Sequence, residues 1–141
     1  MSGLDQTLST RQSIVTVRPD GEIMTRQNLP NFVGISEATA GAAGISMNMV
    51  VIPPGSCAEP HFHKGFETAI YILRGRVETR YGEGLRQSCI NEEGDFLFIP
   101  ASLPHQPFNL SETEAALAIV ARNDAREQES VELYDPQEVV R

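Results

Sequence analysis

The chain holds three histidines, His61, His63 and His105. His61 and His63 form a His-x-His pair inside a strand-like run, Cys57–His63. On a strand, residues two apart share a face and stand roughly 6.6 Å apart along it. Two imidazoles leaning together from such positions can share one metal ion at about 2.0–2.1 Å each. Phe62 between them points the other way. Glu67 follows near the start of the next run, and a strand–turn–strand path can bring its carboxylate beside the pair. His105 comes after Pro100-Ala101-Ser102-Leu103-Pro104, a loop leading into another strand. Taken singly, each of these residues is ordinary polar detail. Three imidazoles and a carboxylate converging inside a β-barrel need a shared partner, because buried donors and charges are costly alone, and one divalent cation supplies it.

Other side chains are candidates for supporting roles. Tyr71 and Gln106 lie close to these residues in sequence, and either can hydrogen-bond a substrate or orient a ligand. Arg74, Arg76 and Arg80 can meet an anionic substrate. However, Arg76, Glu78 and Arg80 alternate with Val77, Thr79 and Tyr81, the pattern of a half-exposed strand. Phe66, Phe96, Phe98 and Phe108 read as core, with one or two at the barrel mouth. Cys57 shares the parity of His61, and packing is its expected role.

These residues are placed by short strands. Candidate runs are Ser13–Val17, Asn31–Ile35, Ile45–Ile52, Cys57–His63, Ala69–Leu73, Arg76–Tyr81, Leu85–Ile90, Asp95–Ile99 and Ala115–Ala121. Turn signals separate them: Gly41–Gly44, Pro53-Pro54-Gly55, Arg74-Gly75, Tyr81-Gly82-Glu83-Gly84, Asn91-Glu92-Glu93-Gly94 and Pro100–Pro104. Short strands punctuated by Gly and Pro describe an all-β sandwich or barrel. No long segment carries a 3.6-residue apolar period. The expected division is an arm and strand over residues 1–30, a barrel over 31–121 and an acidic tail over 122–141. The tail is expected to dock on its own barrel or on a partner chain, or else to stay solvated.

A chain of 141 residues fits one domain. Its 40% hydrophobic and 21% charged residues are ordinary for a globular protein. Eleven basic against 19 acidic residues give a net charge of −8. Such a surface repels phosphate backbones and anionic lipid, so neither nucleic acid nor membrane is an expected partner. Cys57 and Cys89 make no disulfide framework. With no basic and apolar leader at the N-terminus, a cytoplasmic location is the expectation.

The residues resemble the two motifs of the cupin superfamily. The first, G-x5-H-x-H-x3,4-E-x6-G, is matched by Gly55, His61, His63 and Glu67. The second, G-x5-P-x-G-x2-H-x3-N, is matched by Gly94, Pro100, His105 and Asn109, with Ser102 in the second glycine slot. One spacing departs: seven residues, not six, separate Glu67 from Gly75. Counted back from Gly75, the carboxylate slot holds Thr68. A one-residue bulge would keep Glu67 as the ligand; otherwise the face flips and the site is three-histidine only.

The resemblance implies a double-stranded β-helix, or jelly-roll, barrel with His61, His63, Glu67 and His105 as metal ligands. It implies one divalent transition metal, with iron, manganese, nickel, copper and zinc all compatible with such ligands. The expected function is a small metalloenzyme acting on a small organic molecule, with dioxygenase-like oxidation favoured. The alternatives are a non-redox decarboxylase, isomerase or lyase, and a non-catalytic ligand- or metal-sensing module. One fold hosts many functions, so the motifs do not choose among these. Spare apolar segments at both ends suggest a homodimer, with the N-terminal strands and Val131–Val140 as interface material.

Overall fold

The structure, a computed structural model, describes residues 13–19, 21–126 and 130–137. Among the described residues there are eleven short strands: β1 (Ile23–Met24), β2 (Pro30–Ile35), β3 (Ser46–Ile52), β4 (His61–His63), β5 (Thr68–Arg74), β6 (Arg76–Tyr81), β7 (Gln87–Glu92), β8 (Phe96–Ile99), β9 (His105–Asn109), β10 (Ala116–Arg122) and β11 (Val131–Leu133). The α-helical turn α1 (Glu37–Ala40) is capped by Ser36, whose hydroxyl accepts from the Thr39 amide. No helix among the described residues is long and apolar enough to cross a membrane.

The strands form two antiparallel sheets. One has the order β1-β2-β3-β10-β5-β8 and the other β11-β4-β9-β6-β7. This is the expected all-β, double-stranded β-helix architecture. Strand β10 shows how it is held. Along it, Ala116, Ala118, Val120 and Arg122 are buried while the residues between them are partly exposed. That period of two turns one side of the strand into the barrel. The buried side meets Leu29, Ile52, Ala58, Ile72 and Val77 in one apolar cluster.

Several expectations are corrected. Ser13–Val17 lies outside the strands, and Ile14 is 97% exposed. The run Cys57–His63 is regular only at His61–His63, because Pro60 has no amide hydrogen to give to a ladder. The phenylalanines are not the core. Phe96 and Phe98 are 82% and 57% exposed, since on β8 the inward parity belongs to Leu97 and Ile99. Strands β1 and β11 escaped the sequence because runs of two or three residues show no alternation.

Both ends of the barrel segment are tied in. Leu29 belongs to the core cluster. Strand β11 pairs with β4, placing Val131 opposite His63 and Leu133 opposite His61, and Val131 is 4% exposed.

Asn109, which ends the second motif, is a fastening. Its Nδ2 donates to the carbonyls of Ile52 and Glu114 at 3.0 and 2.8 Å, and its Oδ1 accepts from the Ser111 amide at 2.8 Å. One buried side chain thereby closes the turn between β9 and β10 onto the end of β3. Asn109→Ala leaves these groups without partners and is expected to cost about 3 kcal/mol, read as a lower urea midpoint with an unchanged m-value.

Candidate metal centre

The cluster follows from strand register. His61 and His105 stand directly opposite each other on the antiparallel neighbours β4 and β9. Opposed residues project to the same face, with Cβ atoms about 4.5–5.5 Å apart. His63 lies two residues along β4 and shares that face. The ring centroids are 4.4 Å apart for His61–His105, 5.1 Å for His61–His63 and 5.6 Å for His63–His105. All three residues are buried, and their candidate ligand atoms lie within 4.8 Å of one another.

Two of the rings are oriented by backbone. His61 Nδ1 donates to the Glu59 carbonyl at 2.8 Å, and His105 Nδ1 to the Leu103 carbonyl at 2.9 Å. Each bond reaches two residues back along the chain. With Nδ1 protonated, Nε2 keeps its lone pair for a metal. His63 differs: both of its ring nitrogens are buried with no hydrogen-bond partner among the described residues. A neutral imidazole without partners is costly inside a protein. An ion coordinated by His63 offsets that cost, so the donor set fits a divalent transition metal.

The charge state fits as well. Burial, with the His105 ring second, lowers the His61 pKa from 6.5 to about 3. Burial lowers His105 to about 4, with Arg122 adding to the effect. His63 is lowered furthest, by burial first and the Arg122 guanidinium second. All three rings are therefore neutral at pH 7, the form that coordinates metal.

The loop before His105 is stitched to the turn after His63. The Ser102 amide donates to the His63 carbonyl at 3.0 Å. The Ser102 hydroxyl accepts from the Gly65 amide at 2.9 Å. Ser102 occupies the motif's glycine slot and keeps its left-handed backbone, with φ of 64°. Ser102→Ala retains the strain and loses the hydroxyl, so it is expected to cost about 1 kcal/mol. Ser102→Gly loses the same bond and relieves strain of similar size, so its melting temperature is expected to stay near that of the parent chain.

Glu67 is not brought to the cluster. It is exposed, its amide donates to Asn123 Oδ1 at 2.8 Å, and Thr68 takes the inward position. Thr68, Ile70 and Ile72 line the interior, which leaves Glu67 on the other parity. The bulge between β5 and β10 lies at Leu73, where pairing steps from Arg74↔Leu117 to Ile72↔Ala118. A bulge there does not rotate Glu67 inward.

Nor do the supporting candidates face the histidines. Tyr71 lies on the outer face with its ring 4.8 Å from that of Phe96. Gln106 points away from His105, its Nε2 donating to the Ala58 carbonyl at 2.9 Å. Arg76 and Arg80 pair at the surface with Glu92 and Glu78, and Arg74 is exposed. Cys57 bridges to Phe108, and Cys89 donates to Asn91.

The histidines open onto a cavity of about 70 Å³. Room for one water on this measure is roughly 10–15 Å³, so the space suits an ion and a ligand of a few heavy atoms. Most of its wall is aliphatic, from residues such as Leu29, Val50, Ile52 and Val120, with Gln27, Thr68, Thr79 and Arg122 as polar additions. Arg122 was missed in the sequence because it stands at the junction of barrel and tail. Only the register of β10 on β5, which sets it opposite Thr68, shows that it belongs inside.

A family model for the cupin domain matches residues 48–121, more than half of the chain. The chain belongs to the cupin family. This cupin is 31% identical over 128 residues to germin-like protein subfamily T member 3 of Arabidopsis thaliana, covering 87% of the chain and 50% of that relative. It superposes on a recombinant oxalate oxidase in complex with glycolate with a TM-score of 0.68 at 22% identity, covering 86% of the chain and 63% of the other. For the Lactobacillus farciminis oxalate decarboxylase formate complex, the TM-score is 0.67 at 19% identity, with coverages of 79% and 32%. The cupin thus spans half of the curated relative it matches. The two structural likenesses establish the shared fold.

Proposed function

We propose that this cupin is a small metalloenzyme that holds one divalent transition metal on His61, His63 and His105 and oxidises a small organic molecule bound in the barrel. The observation that carries the proposal is His63, a buried imidazole with both nitrogens lacking partners among the described residues, facing two rings whose Nδ1 atoms are already committed. The ion supplies Lewis acidity and, if iron, manganese or copper, one-electron chemistry. The chain supplies an apolar chamber that excludes water and a fixed set of three neutral nitrogens. Oxidation is favoured over an isomerase or lyase because no carboxylate, lysine or cysteine among the described residues lines the cavity, leaving no dedicated side chain to shuttle a proton.

The test is an oxygen electrode with protein loaded with each of iron(II), manganese(II), nickel, copper and zinc and offered small organic acids, catechols, diketones and thiols. Oxygen uptake matched by substrate loss, and absent from His63→Ala, supports the proposal. Substrate loss without oxygen uptake points to the non-redox class. Tight metal binding with neither points to a sensing module.

As the working unit we propose a homodimer in the cytoplasm. Val131 is consumed within the chain's own sheet, which leaves the outer face of the six-stranded sheet as the better surface. Met47, Leu73, Phe96 and Phe98 are exposed there, and clustered exposed apolar side chains mark association surfaces. Light scattering at the monomer mass would remove this part of the proposal.

A further inference from the structure

We infer that Gln27, carried by a loop outside both sequence motifs, gives the metal a fourth protein ligand through its side-chain amide oxygen, in place of Glu67. This deepens the metalloenzyme proposal by completing its donor set, and it rests on that proposal for the presence of the ion.

The first observation is an oxygen without a donor. Gln27 is 7% exposed and lines the same cavity as His61, His63 and His105. Its Oε1 is buried with no hydrogen-bond partner among the described residues. Burying an amide carbonyl without a donor is costly. His63 is in the same state at both ring nitrogens. The two side chains do not bond to each other, and one cation that takes a lone pair from each offsets both costs.

The second observation is the loop that presents Gln27. Its ends are stapled together. The amide and the hydroxyl of Thr25 both donate to the Leu29 carbonyl, at 3.0 and 2.9 Å, and the same hydroxyl accepts from the Leu29 amide at 3.1 Å. Between them Asn28 takes a left-handed backbone, with φ of 67°, a conformation that asparagine adopts more readily than most residues. Thr25, Gln27 and Leu29 are thereby turned inward while Arg26 and Asn28 stay exposed. The loop is then tied to Glu59, whose amide donates to the Gln27 carbonyl at 2.6 Å. The Glu59 carbonyl in turn accepts from His61 Nδ1 at 2.8 Å. One residue therefore fixes both the loop bearing Gln27 and the ring of His61, which sets Gln27 at the histidine end of the cavity.

The third observation is the chemistry of the set. Glu67 is exposed, and no carboxylate lines the cavity among the described residues. An amide carbonyl is a hard, neutral oxygen donor, of the kind that suits manganese and iron(II) alongside imidazole. Three imidazoles and one such oxygen leave the ion its full charge and leave open positions on an octahedral metal.

The experiment uses the full chain loaded with manganese(II). The loaded parent chain is made with glutamine carrying carbon-13 at the side-chain amide, and Gln27 is the one glutamine that lines the cavity among the described residues. Electron–nuclear double resonance is expected to show a carbon-13 coupling to the manganese. Gln27→Leu is expected to lose tenfold or more in manganese affinity. Loss of a group that only supports a ligand also costs about 10–100-fold, so affinity alone does not decide. The deciding readout is the number of metal-bound waters, counted by oxygen-17 broadening of the manganese resonance. Gln27→Leu is expected to gain one water, which takes the place of the amide oxygen. Gln27→Glu keeps an oxygen there, so it is expected to hold the parent water count and bind manganese at least as tightly. No carbon-13 coupling in the parent, or a parent water count in Gln27→Leu, would overturn the inference while the metal proposal stands. The coupling is read on the parent chain, so the test holds even if Gln27→Leu fails to fold. A parent chain that binds no metal ion would remove both proposals together.

Discussion

His63→Ala is expected to abolish retention of a divalent metal while leaving the barrel folded. The two halves of this outcome have separate causes. In the metal-free chain His63 makes no hydrogen bond among the described residues through either ring nitrogen. Removing it leaves a cavity, which destabilises, but also removes an unpaired buried polar group worth about 1–3 kcal/mol. The net change in metal-free stability is expected to be small. The metal side is not compensated. At an ion concentration a thousand times its Kd, metal stabilises the parent chain by about 4 kcal/mol, and this increment is expected to vanish in the variant. His61→Ala and His105→Ala should look different. Each also strips a donor from the backbone carbonyl of Glu59 or Leu103, so both are expected to lose stability even without metal. Denaturation of the three variants with and without added metal separates the patterns. Full metal occupancy in His63→Ala would contradict the site.

Mild acid is expected to unfold the metal-free chain. The three imidazoles have ordinary pKa values of 6.5 when unfolded, whereas burial holds His61 at about 3 and His105 at about 4 in the folded chain, with His63 lowered as well. Between these limits the unfolded state binds protons that the folded state refuses. Stability therefore rises with pH across the window and levels off above about pH 7. Going down from pH 6.5, each ring removes up to about 1.4 kcal/mol per pH unit. Three rings together remove up to about 4 kcal/mol per unit, enough to exhaust the stability of a domain this size by about pH 4.5. Bound metal should delay the loss to lower pH, because protons must first displace the ion. His63→Ala should reduce the slope by about a third. Stability that stays flat from pH 7 to 5 would mean the rings are not held neutral by the fold.

The histidine cluster was legible in the sequence because its spacing is a strand spacing. Two residues on one strand share a face, and the second motif delivers His105 to the neighbouring strand. What spacing could not supply was the parity of the segment between His63 and Gly75. The extra residue there allowed either Glu67 or Thr68 to face inward, and the choice depends on where β5 is bulged. The bulge is at Leu73, a consequence of how β5 lies on β10 and invisible along either strand alone. Arg122 was hidden for the same reason. Its neighbours in sequence read as an acidic tail, while its neighbours in space are Thr68 and the histidines. The phenylalanines misled through composition: aromatic residues usually fill cores, but on β8 they occupy the outward parity. Tyr71 and Gln106 were put forward for closeness in sequence, but Gln106 adjoins His105 on its strand and so faces the opposite way, and Tyr71 shares the outward parity of Glu67.

The most direct test of the metal centre is elemental analysis of the full chain purified without chelator, paired with X-ray absorption at the edge of whichever metal is found. The structure leads us to expect about one transition-metal ion per chain, with three imidazole nitrogens at roughly 2.0–2.2 Å and loss of the ion in His63→Ala. A chain that carries only trace metal, and whose melting temperature does not respond to added manganese, iron, nickel, copper or zinc, would contradict it.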